Sequence, residues 1–180
     1  MTDPAPTHRR RTRAALLALA AALATALPIA GTGTAHAGQT GAPIFFEVRN
    51  LATGKCLEVA DWRTDDGAPV RQWTCTGGSN QIWTPNGQQL RNVHSAECLD
   101  IPGASRVWGT QVIQWPCSTS PWATNQQWSF PFPGRYSLPG YFSSLDLVLD
   151  VPGGDPSDGV PVVTWGANEG ANQKWQFLPR

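Results

Sequence analysis

Residues 79–83 read SNQIW, residues 124–128 read TNQQW and residues 171–175 read ANQKW. Their tryptophans stand 45 and 47 residues apart, so Asn-Gln-x-Trp closes a unit that recurs. Working outward from each copy finds a longer block upstream. It reads CLEVADWRTDDGAPVRQWTC at Cys56–Cys75, CLDIPGASRVWGTQVIQWPC at Cys98–Cys117 and VLDVPGGDPSDGVPVVTWGA at Val148–Ala167. The three blocks are each 20 residues long and align without a gap. Self-similarity at a fixed period marks a chain built by repetition. In the third copy both cysteine positions have changed together, to Val148 and Ala167, which leaves no orphan thiol. From the last Trp of the block to the Asn there are 7 residues in the first and third copies and 10 in the second, which carries the insertion STSPWAT, residues 118–124.

The N-terminus stands apart from the repeats. THRRRTR, an apolar run from Ala14 to Ala30 interrupted by Pro28, and Ala35-His36-Ala37 read as a secretory signal peptide cut after residue 37. The run is at the short limit for a membrane span. Sec and twin-arginine export both remain open. The reading predicts a signal at 1–37, a short linker at 38–43 and one domain at 44–180, with repeats of about 44–85, 86–130 and 131–180. That mature chain has 9 basic and 12 acidic side chains, without the basic footprint of a nucleic-acid binder. No further stretch is apolar enough to span a membrane, so a soluble, secreted, monomeric protein is expected. The equal 19-residue separations of Cys56 from Cys75 and of Cys98 from Cys117 predict two local disulfides. A zinc site is not expected, because CxxC spacing is absent and His94 is the one histidine after residue 37. No cofactor is expected either.

Short apolar segments alternate with Gly, Pro, Asp and Asn, and none shows a 3.6-residue period, so the chain reads as all-β. The predicted strands are IFFEV, CLEV, VRQW and QIWT in the first unit. They are QLRN, CLDI, VIQW and QQWSF in the second, and RYSL, LVLDV, VVTW and KWQFL in the third. Four strands per unit predict a closed threefold barrel, because closure removes exposed edges. In a strand Gln and Trp two apart share a face. Trp83, Trp128 and Trp175 are therefore expected in the core, each beside a Gln whose amide ties down backbone.

Three Gln-x-Trp motifs in register with an upstream Cys-Leu-Asp block resemble the ricin-B-type lectins, a family of carbohydrate-binding modules. The likeness covers essentially all of residues 44–180. It implies a β-trefoil of twelve short strands in three pseudo-symmetric lobes, with up to three shallow sugar sites. Within each lobe the resemblance assigns an acidic residue, a Trp platform and an amide. In the third lobe these are Asp150, Trp165 and Asn172, with Gln173 beside them. The second offers Asp100, Trp115, Asn125 and Gln126, and the first offers Glu58, Trp73, Asn80 and Gln81. A further polar position two residues before the platform is Arg71, Ile113 and Val163 in the three lobes, so only the first keeps a polar side chain there.

The chemistry fits those residue types. A flat indole covers the apolar C–H face of a pyranose, a carboxylate accepts charge-assisted hydrogen bonds from neighbouring hydroxyls, and an amide both donates and accepts. The acid-to-Trp interval is 15 residues in all three copies. The longer side chain of Glu58 could close the first site, and the insertion carrying Trp122 could enlarge or obstruct the second. Trp62, Trp108, Tyr141 and Phe142 fall in loops where they could extend a subsite or simply pack. The expected function is non-catalytic binding of glycans or plant-type polysaccharides, and the resemblance implies ligands containing galactose, xylose or arabinose. A protein-binding trefoil, such as a protease inhibitor, is the alternative, since one fold hosts many functions.

Overall fold

The computed structural model describes residues 44–129, 140, 141 and 143–180. The predicted signal and linker, the expected strand RYSL and Phe142 lie outside the described residues. Among those described, strands and six single 3-10 turns make up the regular structure, with no α-helix. None of it is a helix long and apolar enough to cross a membrane.

The chain forms its first lobe from β1 (Phe46–Asn50), β2 (Cys56–Val59), β3 (Val70–Trp73) and β4 (Ile82–Asn86). The second follows with β5 (Gln89–Asn92), β6 (Cys98–Asp100), β7 (Thr110–Gln111) and β8 (Ile113–Trp115). The third contains β9 (Gly140–Tyr141), β10 (Ser143–Ser144), β11 (Leu147–Asp150), β12 (Val163–Trp165) and β13 (Lys174–Pro179). Among the described residues thirteen segments stand where twelve strands were expected, and three of them are only two residues long. One of these, β7, is a stub pairing with β12 across the boundary of the second and third lobes; at the matching place the other two boundaries have the single bridges Pro69–Ile113 and Arg71–Pro161.

Strand β13 pairs antiparallel with β1 from Phe46–Pro179 to Asn50–Trp175, so the third lobe closes on the first. Around the threefold axis the backbone closes a ring of its own. Val70 N–H donates to Val112 O at 3.0 Å, Val112 N–H to Val162 O at 3.0 Å, and Val162 N–H to Val70 O at 3.2 Å. Each lobe thus satisfies a buried backbone group of the next, which makes the three lobes one cooperative unit.

The core is a single cluster that includes Trp83, Trp128 and Trp175 with Leu57, Leu99 and Leu149. The indole N–H groups donate to the carbonyls of those three leucines at 3.0, 2.9 and 3.1 Å. Burying an indole contributes about 4–6 kcal/mol as an upper figure from area, and the leucine carbonyl removes the cost of its N–H. The recurrent Trp is therefore the hub of each lobe, as expected.

The Gln of each motif corrects the sequence reading. It does not share a strand with the Trp: Ser79–Gln81, Thr124–Gln126 and Ala171–Gln173 are 3-10 turns. A tight turn swings both the Asn and the Gln toward the β-hairpin of the same lobe, which a pleated strand would not do. The two expected disulfides, Cys56–Cys75 and Cys98–Cys117, are formed. Each closes that hairpin in its lobe, and loops of this size contribute roughly 3 kcal/mol each in the chain-entropy model. The third lobe holds the same hairpin without one.

Candidate functional site

The hairpin of each lobe carries the acid on one strand and the Trp platform on the other. In the third lobe Asp150 pairs with Val163 across the β11–β12 ladder, with Trp165 two residues on. In the second, Asp100 pairs with Ile113, and Trp115 follows. The 3-10 turn then delivers its amides to the acid. Asn172 Nδ2 and Gln173 Nε2 both donate to Asp150 Oδ2, at 3.0 and 2.8 Å. Asn125 Nδ2 and Gln126 Nε2 both donate to Asp100 Oδ2, at 2.8 and 2.8 Å. The other oxygen, Oδ1, carries none of these bonds in either lobe.

Burial pushes the carboxyls of Asp100 and Asp150 above the ordinary range, and the two amide donors pull the other way in each. The glutamines are buried and fully engaged below the acid. Gln173 also donates to Gly166 O at 2.9 Å and accepts from Asn168 N–H at 2.8 Å, and Gln126 also donates to Pro116 O at 3.0 Å and accepts from Ser118 N–H at 2.8 Å. They hold the carboxylate in place; neither lines the hollow beside its acid, although Gln126 lines the adjoining space of the second lobe.

Above this scaffold each lobe opens a hollow. In the third it measures about 430 Å³, lined by Asp150, Pro152, Gly153, Trp165, Asn168 and Asn172. In the second it measures about 360 Å³, lined by Asp100, Pro102, Gly103, Ile113, Trp115 and Asn125. Trp115 and Trp165 remain 46% and 38% exposed, so each offers an indole surface to solvent. The insertion does not cover the second hollow. Its residues Ser118, Thr119 and Ala123 line a neighbouring space of about 500 Å³ that shares Asp100, Trp115 and Asn125.

The Pro-Gly lips were missed in the sequence, although PGA and PGG sit at matching positions. Gly103 and Gly153 adopt φ of 58° and 65°, which a glycine reaches without strain. The same position in the first lobe is Asp61, at φ 54°, followed by Trp62 at φ 57°. That departure, ADW in place of Pro-Gly, was the signal.

The first lobe is built differently as a result. Glu58 pairs across the β2–β3 ladder with Arg71. Arg71 Nε donates to Glu58 Oε1 at 3.1 Å, and its Nη2 donates to Asp61 Oδ1 at 2.8 Å. Glu58 Oε2 accepts from Gln81 Nε2 at 2.7 Å, so both oxygens of the acid are engaged. The guanidinium lies over the platform itself, its Cζ 4.3 Å from the Trp73 ring centroid. Asn80 does not reach the acid; it is buried and donates to Val59 O at 3.1 Å. The hollow that remains, about 240 Å³, is lined by Glu58, Asp61, Trp62, Arg71, Trp73 and Thr76. Trp62 meets His94 edge-on at 5.1 Å, and His94 Nε2 lies 3.1 Å from Trp62 O.

Residues 44–175 match the model of the ricin-type β-trefoil lectin domain. The designed threefold-symmetric protein ThreeFoil is 31% identical, with a TM-score of 0.64 over 74% of this chain and 97% of its own. The exo-β-1,3-galactanase 1,3Gal43A of Clostridium thermocellum is 28% identical, with a TM-score of 0.65 over 78% of this chain but 31% of the galactanase. The C-half of the earthworm R-type lectin, solved with GalNAc, shares the fold at 21% identity and a TM-score of 0.63, over 77% of this chain and 100% of its own. With its three Gln-x-Trp hubs, its two acid-and-indole hollows and this match, the chain belongs to the ricin-type β-trefoil lectin family.

Proposed function

We propose that this is a secreted, non-catalytic carbohydrate-binding protein whose second and third lobes hold the sugar. The observation that carries the reading is the repeated hollow in which Asp100 or Asp150, held on one oxygen by two amides, stands across from a half-exposed indole. The free Oδ1 accepts hydroxyl donors, Asn125 or Asn172 supplies the adjacent amide, and Trp115 or Trp165 covers the C–H face. Gln126 and Gln173 act as positioning residues. The first lobe carries its own substitute for a ligand: Arg71 stacks on Trp73 and engages Glu58, the two contacts a sugar would make.

A glycosidase needs two carboxyl groups within roughly 5–10 Å of one glycosidic bond. The lining of the second hollow and that of the third each include a single carboxylate. Glu58 and Asp61 do share a hollow, but both are tied to Arg71. The two disulfides and the basic, apolar N-terminal sequence favour an extracellular setting. One shallow site binds weakly, with millimolar dissociation corresponding to about −4 kcal/mol. Two such sites on one rigid body raise affinity for a polymer by factors of order 10²–10⁴ where geometry permits. Galactose-, xylose- and arabinose-containing glycans are the ligands proposed. Retention on immobilised polysaccharide, released by free sugar, supports the reading; retention that depends on a protein partner and ignores sugar contradicts it.

A further inference from the structure

The lobe boundaries repeat one contact with three different outcomes. The residue eleventh in each 20-residue block is Asp66, Trp108 or Asp158, and each reaches toward the following lobe. Asp158 of the third lobe accepts from Lys55 Nζ at 2.7 Å and from Thr74 N–H at 2.6 Å in the first. Asp66 of the first faces Glu97 of the second. Trp108 of the second packs on Gly166 of the third, where a Cβ would come within 2.7 Å of the indole. Its ring centroid lies 5.4 Å from that of Trp165, with the planes tilted by 39°.

Trp108 is held in place and left open. Gly109 N–H donates to Thr164 O at 2.8 Å and Arg106 donates to Leu145 O at 3.2 Å, so the loop is anchored on the third lobe from both sides, while Thr110 Oγ1 donates to Val107 O at 2.7 Å within the loop itself. The indole is nonetheless 59% exposed, and Val107 beside it is 70% exposed. A fixed, solvent-facing indole adjoining the platform extends an apolar surface beyond the hollow, of which Trp108 is not a lining residue.

We infer that Trp108 forms an accessory subsite of the third lobe, contributed by the second, on which the next sugar of a chain stacks. This rests on the carbohydrate reading above and deepens it: the third lobe recognises two or more linked sugars, while the second, whose platform has Asp66 in the corresponding place, lacks the second ring. The tilt between the indoles suits neighbouring units of a twisted chain better than one flat ring.

The test places Trp108→Ala and Trp108→Phe in an Asp100→Ala background, which silences the second lobe. The probes are galactose with lactose, and xylose with xylotetraose. Trp108→Ala is expected to weaken the longer sugar by roughly threefold to tenfold, in line with aromatic contacts of about 0.5–1.5 kcal/mol. It leaves the monosaccharide unchanged, and Trp108→Phe retains most of the binding. Equal loss of both sugars shows that Trp108 only buttresses Trp165 and overturns the subsite; no loss of either overturns it too. If the Asp100→Ala parent binds none of the four probes, the carbohydrate reading of the third lobe fails with it, a result distinct from the other two.

Discussion

Arg71 lies with its Cζ 4.3 Å from the centre of the Trp73 ring while its Nε donates to Glu58 at 3.1 Å. In the other lobes the residue facing the acid is Ile113 or Val163, and the indole is left open. The lobe with the most polar site residues in its sequence is therefore the one that has satisfied itself.

That relationship predicts a latent third site. Arg71→Val, which copies the third lobe, frees both Glu58 and the face of Trp73. In a galactose or xylose titration the Trp73 indole N–H resonance should shift in the variant and stay still in the parent. Glu58 is buried and loses a charged partner, so unfolding should become easier by about 1–3 kcal/mol. A Trp73 resonance that already responds to sugar in the parent contradicts the closed first lobe.

Trp175 tests the core separately from the site. Trp175→Ala empties the hub of the third lobe, the one without a disulfide, and should cost about 3–5 kcal/mol in urea denaturation. Trp175→Phe loses the bond to Leu149 O and some volume, at about 1–3 kcal/mol. A cost below 1 kcal/mol for the alanine variant would mean that Trp175 is not the hub described here.

Binding should weaken in acid sooner than an ordinary carboxylate would dictate. The ionised forms of Asp100 and Asp150 accept the sugar hydroxyls, and burial raises both carboxyls. Protonation as pH falls through those raised values removes the acceptor. Affinity measured from pH 8 downward is thus expected to be flat and then to decline, with the Asp100→Asn and Asp150→Asn double variant weak throughout.

Stability carries the opposite sign. Glu97 is pushed up from 4.5 to about 7, first by burial and then by the hydrogen bond and charge of Asp66 and the charge of Asp65. Between those values the folded state holds more protons at Glu97 than the unfolded one, so the contribution of Glu97 to stability is full below about 4.5 and is lost as pH rises through 7. Solvent access limits the effect to about 1 kcal/mol. Glu97→Gln should flatten that decline in thermal melts; an unchanged slope would remove Glu97 as its source.

The repeats made much of this legible. Three aligned copies exposed the core Trp, whose indole donates to a leucine carbonyl in every lobe, and with it the positions of the acid, the platform and the disulfide pairs. What escaped the sequence lies where the copies differ or where lobes meet. Arg71 was visible as a polar residue, but its effect depends on standing directly opposite Glu58 in the β2–β3 ladder. Gln173 looked like a ligand group until the 3-10 turn of Ala171–Gln173 placed it beneath Asp150. Trp108 looked like a loop aromatic of its own lobe, and only the anchoring of residues 106–110 on the neighbouring lobe puts it beside Trp165.

The most direct test is a glycan and polysaccharide binding screen of residues 38–180 beside Asp100→Ala, Asp150→Ala and the double variant, with folding checked by circular dichroism. The account predicts binding by the parent, partial loss in each single variant and loss of all binding in a folded double variant. A double variant that is folded and binds as well as the parent would place the sugar elsewhere and contradict the two-site account.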